Sequence, residues 1–271
     1  MLADGLRYFI TGAGTGIGSG IARVAAREGA AVTIADLADE AGEALAEEIR
    51  EQGGKALFVH CDVADYDQLK HCIDRSATEF GGLDVLVNNA GIFDNRVHPT
   101  PSLETMDPSH FRRMVEVNLI AQWMGAKFAL PYLRASKNAS IINAGSVAIF
   151  VAYPGGTIYG ATKGGVAGLT KHLAVELAPD RIRVNCYCPG VTRTEAAALY
   201  IEQIGEEAFM RTNTAANLIP RIGEPEDLGN IVAFLASDRA TFITGAIYLC
   251  DGGAMAWRGT MDLLGMQPAS L

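Results

Sequence analysis

The chain has 271 residues, enough for one large α/β domain or two small ones. Apolar residues make up 49% and charged residues 20%, the balance of an ordinary globular protein, and 30 glycines exceed an average share. A net charge of −9 with no basic block excludes nucleic acid and anionic membrane as main partners.

Strand and helix patterns alternate from the start. Arg7–Thr11 reads as a strand and Gly16–Glu28 as a helix with Ile17, Ile21, Val24 and Ala25 on one face. A second strand, Ala31–Ala35, ends at Asp36, and the charged run Asp39–Gln52 is a helix. A strand at Lys55–Cys61 and a helix at Asp65–Phe80 follow. Leu83–Val87 is continuously apolar, as a strand buried on both faces requires. A long helix is expected over 108–135, kinked at Pro131, which lacks a donor and crowds the preceding turn. Ser140–Asn143 is a strand. Thr157–Ala178 is a helix with Val166, Leu169, Leu173 and Leu177 at helical spacing. The strand Arg183–Tyr187, helices at Glu195–Thr212 and Pro225–Ala236, and the strand Ala246–Cys250 complete the pattern.

About seven strands separated by helices imply a doubly wound parallel sheet of Rossmann-like class with helices on both faces. No linker, repeat or low-complexity segment divides it, so residues 1–271 read as a single domain. The five cysteines form no CxxC pair. Cys186 and Cys188 alternate in the run RVNCYC and so share one face as buried thiols. No histidine or carboxylate clusters with them, so no metal site is expected, and such thiols suit a reducing cytosol. The N-terminus shows no leader pattern and no stretch is long enough to span a bilayer, so a cytoplasmic protein is expected.

In such sheets ligands sit at the carboxyl ends of the strands. After the first strand comes TGAGTGIG, Thr11 to Gly18, leading into a helix. Its small residues, Gly12, Gly14, Thr15, Gly16, Ile17 and Gly18 among them, let backbone approach a pyrophosphate at a helix N-terminus. The strict GxGxxG spacing is not met in any register; TGxxxGxG is. Asp36, eighteen residues beyond Gly18 and followed by Leu37, can accept from both ribose hydroxyls of NAD and would repel a 2′-phosphate. Neither Thr15 nor Leu37 to Glu40 offers a cation, so NAD is expected rather than NADP. Asp62-Val63 follows the third strand, where the acid can accept from an adenine amino group. Asn88-Asn89-Ala90-Gly91 follows the fourth: its small residues admit a ribose, and its Asn side chains can tie neighbouring strands. Gly145-Ser146 follows the fifth. Pro189, Gly190, Val191, Thr192, Arg193 and Thr194 follow the sixth, placing hydroxyls within reach of a carboxamide.

Tyr159 and Lys163 stand four residues apart on one helix face. An ammonium beside a phenol favours the phenolate, so the pair can act as an acid/base centre. Tyr66 and Lys70 have the same spacing, so the spacing alone decides nothing.

These motifs together resemble the short-chain dehydrogenase/reductase family, over nearly the whole chain from Arg7 to about Gly253. The resemblance is carried by TGAGTGIG, Asp62-Val63, NNAG at 88–91, Asn118 in VEVNL, Ser146, YGATK at 159–163 and PGVTRT at 189–194. Ser146 precedes Tyr159 by twelve intervening residues, the family's spacing; Tyr66 has no such serine and is read as surface. The resemblance implies that Tyr159 is the general acid/base, that Lys163 holds the nicotinamide ribose and depresses the Tyr159 pKa, and that Ser146 hydrogen-bonds the substrate oxygen. It implies that Asn118 helps a water connect Lys163 to solvent, alongside or instead of a purely structural bond to a backbone carbonyl. Gly145 departs from the many members that carry a second serine there, which should leave catalysis intact.

The pocket walls are expected from Ile149, Phe150 and Val151, from Phe93 to Val97 and from the Ala-rich segment Glu195–Met210, within 192–215, which reads as a substrate loop-helix. Their charged members are Asp94, Arg96, Arg193 and Glu195. These mostly apolar walls predict an uncharged, hydrophobic or cyclic secondary alcohol or its ketone. The alternatives are a 3-ketoacyl reductase, which Asp36 and the acidic surface oppose, and a catalytically silent nucleotide-sensing protein. The helices near 108–135 and 157–178 resemble those that pack between subunits, so a homotetramer is expected, with a dimer as the alternative. The segment 254–271 extends past the usual ending; its apolar residues Met255, Trp257, Met261, Leu263, Leu264 and Met266 leave open a cover over the pocket, a subunit contact or plain packing.

Overall fold

The apolar runs lie side by side in a seven-stranded, wholly parallel sheet, β3-β2-β1-β4-β5-β6-β7. The computed structural model describes residues 1–213, 217–257 and 259. The strands are β1 (Arg7–Thr11), β2 (Ala31–Asp36), β3 (Lys55–His60), β4 (Val85–Asn88), β5 (Ser140–Ala144), β6 (Arg183–Pro189) and β7 (Ile247–Cys250). The helices are α1 (Gly16–Arg27), α2 (Asp39–Glu51), α3 (Tyr66–Phe80), α4 (Pro108–Val115), α5 (Ala121–Ala135), α6 (Thr157–Glu176), α7 (Glu195–Ile204), α8 (Glu206–Asn213) and α9 (Pro225–Ala236). This is the doubly wound Rossmann-like class. Strand order reverses between β1 and β4, which opens a crevice at their carboxyl ends.

Alternation along each strand sends side chains to two cores. Tyr8, Ile10, Val32, Ile34 and Val87 pack with Ile21, Leu228 and Val232 of α1 and α9. Phe9, Leu86, Ile141 and Val184 pack with Ile73, Ala129, Leu133 and Leu173 of α3, α5 and α6. The helices α1 and α9 cross so closely that a Cβ on Gly20 would lie 2.4 Å from Pro225 Cβ. Among the described residues no helix is long and apolar enough to cross a membrane.

Two expected helices are differently built. The stretch 108–135 is interrupted at Glu116–Ile120 by a π-turn, while Pro131 sits inside α5 without ending it. The extra residue per turn at 116–120 re-aims Asn118 toward α6, and such turns favour functional positions. The stretch 195–212 is two helices, separated by Gly205 at φ 80°. Of the tail, the segment beyond Gly259 and position 258 lie outside the described residues, so the expectation for Met261, Leu263, Leu264 and Met266 falls there.

One ion pair locks β1 onto β4 at the end away from the crevice. Asp84 accepts from Arg7 Nε at 2.7 Å, Arg7 Nη2 at 2.8 Å and the Arg7 amide at 3.0 Å, and its second oxygen also accepts from Ser136 Oγ at 2.6 Å. Burial pushes the Asp84 carboxyl up, but the bonds from Arg7 and Ser136 and the Arg7 charge outweigh it and hold the group below its ordinary value. Its contribution is therefore full above the unfolded value of about 3.9 and is lost as pH falls through the lower folded value. Asp84→Ala is expected to lower the unfolding free energy by about 2 kcal/mol at neutral pH. The difference from wild type should shrink as pH falls through the lowered Asp84 value, as urea titrations at neutral and strongly acidic pH will show.

Candidate active site

The glycine turn is built for close approach. Gly12 has φ 61°, and a Cβ there would lie 2.8 Å from Ala90 Cα. A Cβ on Gly18 would lie 2.1 Å from the Gly12 carbonyl oxygen and 2.6 Å from Asn89 Nδ2. The turn thus folds tightly over the β1–β4 crevice, with the free amides of α1 behind it. Asp36 joins it from β2. Its Oδ2 accepts from the Gly14 amide at 2.8 Å and its Oδ1 from the Ala38 amide at 2.9 Å. Each oxygen keeps lone pairs free, and Leu37 beside it is 56% exposed. A cleft of about 660 Å³ lined by Thr15, Ala38, Asp39, Glu40, Ala41 and Glu195 runs past this point, and its charged residues are all acidic.

The strand ends are tied by side chains. Asn89 Nδ2 donates to the carbonyls of Thr11 at 2.9 Å and Gly12 at 2.7 Å, and its Oδ1 accepts from Tyr187 Oη at 2.7 Å. Asn88 donates to Asn143 Oδ1 at 2.9 Å and to the Gln122 carbonyl at 3.1 Å. Both asparagines therefore tie neighbouring elements, and Ala90 and Gly91 keep the approach open. Asp62 caps its own turn, accepting from Ala64 at 2.9 Å, and lies 3.6 Å from Arg113; Val63 is buried beneath it. Gly190 passes so near β7 that a Cβ would lie 2.7 Å from Asp251 Cα. Thr192 Oγ1 donates to the Gly190 carbonyl, and Thr194 Oγ1 accepts from the Ala197 amide to start α7 while its methyl faces Gly16. Pro189 ends β6, and Val191 packs on Phe209, Met210 and Ile222.

Ser146, Tyr159, Lys163 and Asn118 come together from β5, α6 and the π-turn. Ser146 Oγ accepts from the Ala148 amide at 3.1 Å, which leaves its hydrogen free to donate. Burial is the main influence on the Tyr159 phenol and pushes it above its ordinary value; the Ser146 hydroxyl works against that, while Tyr153, Cys188 and Asp94 add to it. Lys163 Nζ stands 5.5 Å from the Tyr159 ring centre and donates to the Ala144 carbonyl at 2.8 Å. Burial lowers the Lys163 ammonium to about 8. The Asn118 side chain makes three hydrogen bonds and keeps one Oδ1 lone pair: Oδ1 accepts from the Ile92 amide at 2.8 Å, and Nδ2 donates to the Ile92 carbonyl at 2.8 Å and to Thr162 Oγ1 at 3.1 Å. A Cβ on Gly91 would lie 3.4 Å from Asn118 Oδ1 and 3.5 Å from Lys163 Nζ, so this glycine forms the floor between them. The pair with the same spacing elsewhere does not meet: the Tyr66 hydroxyl donates to Glu116, and Lys70 pairs with Asp74 at 2.6 Å.

Around Tyr159 the walls are apolar. Phe93 stacks on its ring at 4.5 Å, and Phe93, Phe150, Val151 and Tyr153 are each between 41% and 52% exposed. Of the charged pocket candidates, Arg193 pairs with Glu224 at 3.2 Å, Arg96 and Glu195 are exposed, and Asp94 is buried. Sequence reasoning missed the work of Thr11, whose hydroxyl accepts from the Asn89 and Ala90 amides at 3.0 and 3.1 Å. Asp94, a charged pocket candidate of open direction, lines a cavity of about 700 Å³ with Ile158 and Met106 and also accepts from the Ile158 and Tyr159 amides, which sequence reasoning missed. A buried-looking Asp just after a strand-end glycine was the available signal.

A family model described as Enoyl-(Acyl carrier protein) reductase matches residues 12–255. The chain belongs to the short-chain dehydrogenase/reductase family. A cis-4-hydroxycyclohexanecarboxylate dehydrogenase of Sinomonas cyclohexanicum is 40% identical over 248 residues, covering 91% of this chain and 95% of that protein. A cyclohexanol dehydrogenase of Acinetobacter sp. (strain SE19) is 35% identical over 243 residues, covering 90% of this chain and 92% of that protein. The crystal structure of a short-chain type dehydrogenase/reductase from Mycobacterium marinum matches with a TM-score of 0.84 at 32% identity, covering 94% of this chain and 97% of that one. This short-chain dehydrogenase/reductase is accordingly an oxidoreductase for CH–OH groups that uses a nicotinamide dinucleotide, NAD or NADP. The cradle fits such a group, because Cβ atoms on Gly12 and Gly18 would close the turn and Gly91 clears the space beside Lys163.

The departure at Gly145 has a local cause. A Cβ there would lie 2.6 Å from Cys186 Sγ and 2.7 Å from Cys188 Sγ, two fully buried sulfurs 3.9 Å apart. Gly145→Ser alone is expected to cost about 1–3 kcal/mol by overpacking. Adding Cys186→Ala and Cys188→Ala should recover most of it, which thermal unfolding of the single and triple variants will measure.

Proposed function

We propose that this protein is an NAD-dependent dehydrogenase interconverting a secondary alcohol and its ketone, with an uncharged, hydrophobic, ring-borne alcohol as substrate. The observation that carries the reading is the convergence of Ser146, Tyr159 and Lys163 beside Gly91 at the β1–β4 switch point. Tyr159 exchanges the hydroxyl proton. Ser146, its oxygen held by the Ala148 amide, donates to the substrate oxygen and stabilises charge developing there. Lys163 holds the nicotinamide ribose and, when its ammonium faces the phenol, favours the phenolate. Asn118 helps a water connect Lys163 to solvent. The nicotinamide supplies the hydride acceptor when bound.

The dinucleotide would lie along Gly12 to Gly18, Asp36-Leu37, Asp62-Val63, Asn89 to Gly91 and Pro189 to Thr194. Asp36 with the acidic cleft beside it favours NAD, since no cation there would offset a 2′-phosphate. The exposed apolar residues Phe93, Phe150, Val151 and Tyr153 favour a hydrophobic substrate. The names of the Sinomonas and Acinetobacter relatives both specify a hydroxyl on a six-membered ring. On this reading residues 1–271 act as one unit, with 192–215 as the substrate segment and 254–271 as an extended tail. The protein is a cytoplasmic homotetramer, or a dimer, associating through the faces of α5 and α6 that expose Trp123 and Val175.

Tyr159→Phe is expected to lower kcat by about 10²–10⁴-fold while leaving NAD binding unchanged; unaltered turnover would remove Tyr159 from the mechanism. Wild-type enzyme assayed by NADH absorbance should oxidise cyclohexanol in preference to polyols and to cis-4-hydroxycyclohexanecarboxylate, and should bind NADH more tightly than NADPH. Preference for the carboxylate would reject an uncharged substrate, and tighter NADPH binding would reject the role given to Asp36.

A further inference from the structure

The helix that carries Tyr159 starts without a cap of its own. Its N-cap position is Gly156, which has no side chain to accept from the first-turn amides. Those amides are satisfied from elsewhere in the chain. Asp94 Oδ1 accepts from the Ile158 amide at 3.2 Å, and Oδ2 accepts from the Tyr159 amide at 3.1 Å. Asp94 is only 3% exposed, and among the described residues it takes part in no ion pair, so the helix N-terminus itself balances the carboxylate.

Its chain neighbours reinforce the contact. Phe93 stacks on the Tyr159 ring with centroids 4.5 Å apart and planes at 26°. Ile92 is held at both its amide and its carbonyl by Asn118. Three consecutive residues thus run from the π-turn to the acid/base tyrosine, touching its backbone and its ring. We propose that Asp94 is a positioning residue for proton transfer: it fixes the first turn of α6 from outside that helix and so sets where the Tyr159 hydroxyl meets the substrate. The proposal rests on Tyr159 being the acid/base group.

An asparagine can cap as well as an aspartate, so the charge has a separate effect. The groups facing Tyr159 are Ser146 at the end of β5, Tyr153 in the following loop, Lys163 on α6, Cys188 in β6 and Asp94, with Met114 of α4 as an apolar neighbour. Asp94 is one of the charges that make the phenolate harder to form. Removing it should move the acid limb of alcohol oxidation to lower pH.

The test uses the full chain with Asp94→Ala and Asp94→Asn, cyclohexanol and NAD as probes, and hydrogen exchange at the amides of Ile158 and Tyr159. Asp94→Ala is expected to lower kcat by about tenfold or more, as a small misplacement of a catalytic group does, with KM and NAD affinity within about twofold of wild type. Its Ile158 and Tyr159 amides should exchange several-fold faster. Asp94→Asn should restore most of kcat and of the protection, yet keep the acid limb displaced to lower pH. Wild-type kcat in Asp94→Ala, unchanged exchange at those amides, or an unmoved acid limb in Asp94→Asn would each overturn the proposal. So would a parallel loss of NAD affinity, which would mark a general structural role. If Asp94→Ala does not fold, Asp94→Ser, too short to reach both amides, takes its place with the same expected outcomes. If wild type does not oxidise cyclohexanol, the substrate reading fails, and the exchange comparison still decides whether Asp94 holds the helix.

Discussion

The site depends on how the ends of β1 and β4 are held apart and satisfied. Beyond the last ladder bond these strands diverge, and their carbonyls would be buried without partners, a cost of about 1–3 kcal/mol each. Asn89 removes that cost by donating to both Thr11 and Gly12, while Tyr187 reaches across from β6 to fill its oxygen. The Thr11 hydroxyl returns the tie by accepting from the Asn89 and Ala90 amides. The crevice therefore has a fixed width, and the glycine turn, Gly91 and Lys163 are referenced to it.

On the other side of the crevice the same logic is applied with buried polar groups. Asn118 Nδ2 donates to Thr162 Oγ1, and that hydroxyl donates in turn to the Tyr159 carbonyl, so α6 cannot rotate without orphaning one of these groups. Ser146, Tyr159 and Lys163 sit on or beside rigid elements, whereas the exposed apolar Phe93, Phe150 and Val151 come from loops and short helices. Under the proposed function, specificity can change at Phe150 and Val151 without disturbing the contacts that hold Tyr159.

Much of this was legible in the residues because strand-end chemistry is local. Asp36, Asn89 and Ser146 each follow directly on an apolar run, and the order of runs already implied the sheet. What the sequence did not disclose was relational. Pro131 lies inside α5, and the π-turn at Glu116–Ile120 has no breaker residue to announce it. Gly145 looked like a neutral departure until the two sulfurs beneath it were placed. The bonds of Asp94 to Ile158 and Tyr159 stayed hidden because these partners are distant in the chain. Local pattern marks where a group emerges; only packing tells which way it turns.

The strand order also has a temporal side. β1 lies between β2 and β4, and its pairing with β4 joins Tyr8 to Val85 and Ile10 to Val87. As the chain emerges from a ribosome, β1 can pair with β2 early, but its other edge stays open until Val85–Asn88 has been made. That edge is RYFIT, an apolar template of the kind that recruits foreign strands. The β1–β4 seam is thus the last of the seams among the first four strands that the growing chain can close, and until it closes that edge of β1 has no strand of its own to pair with.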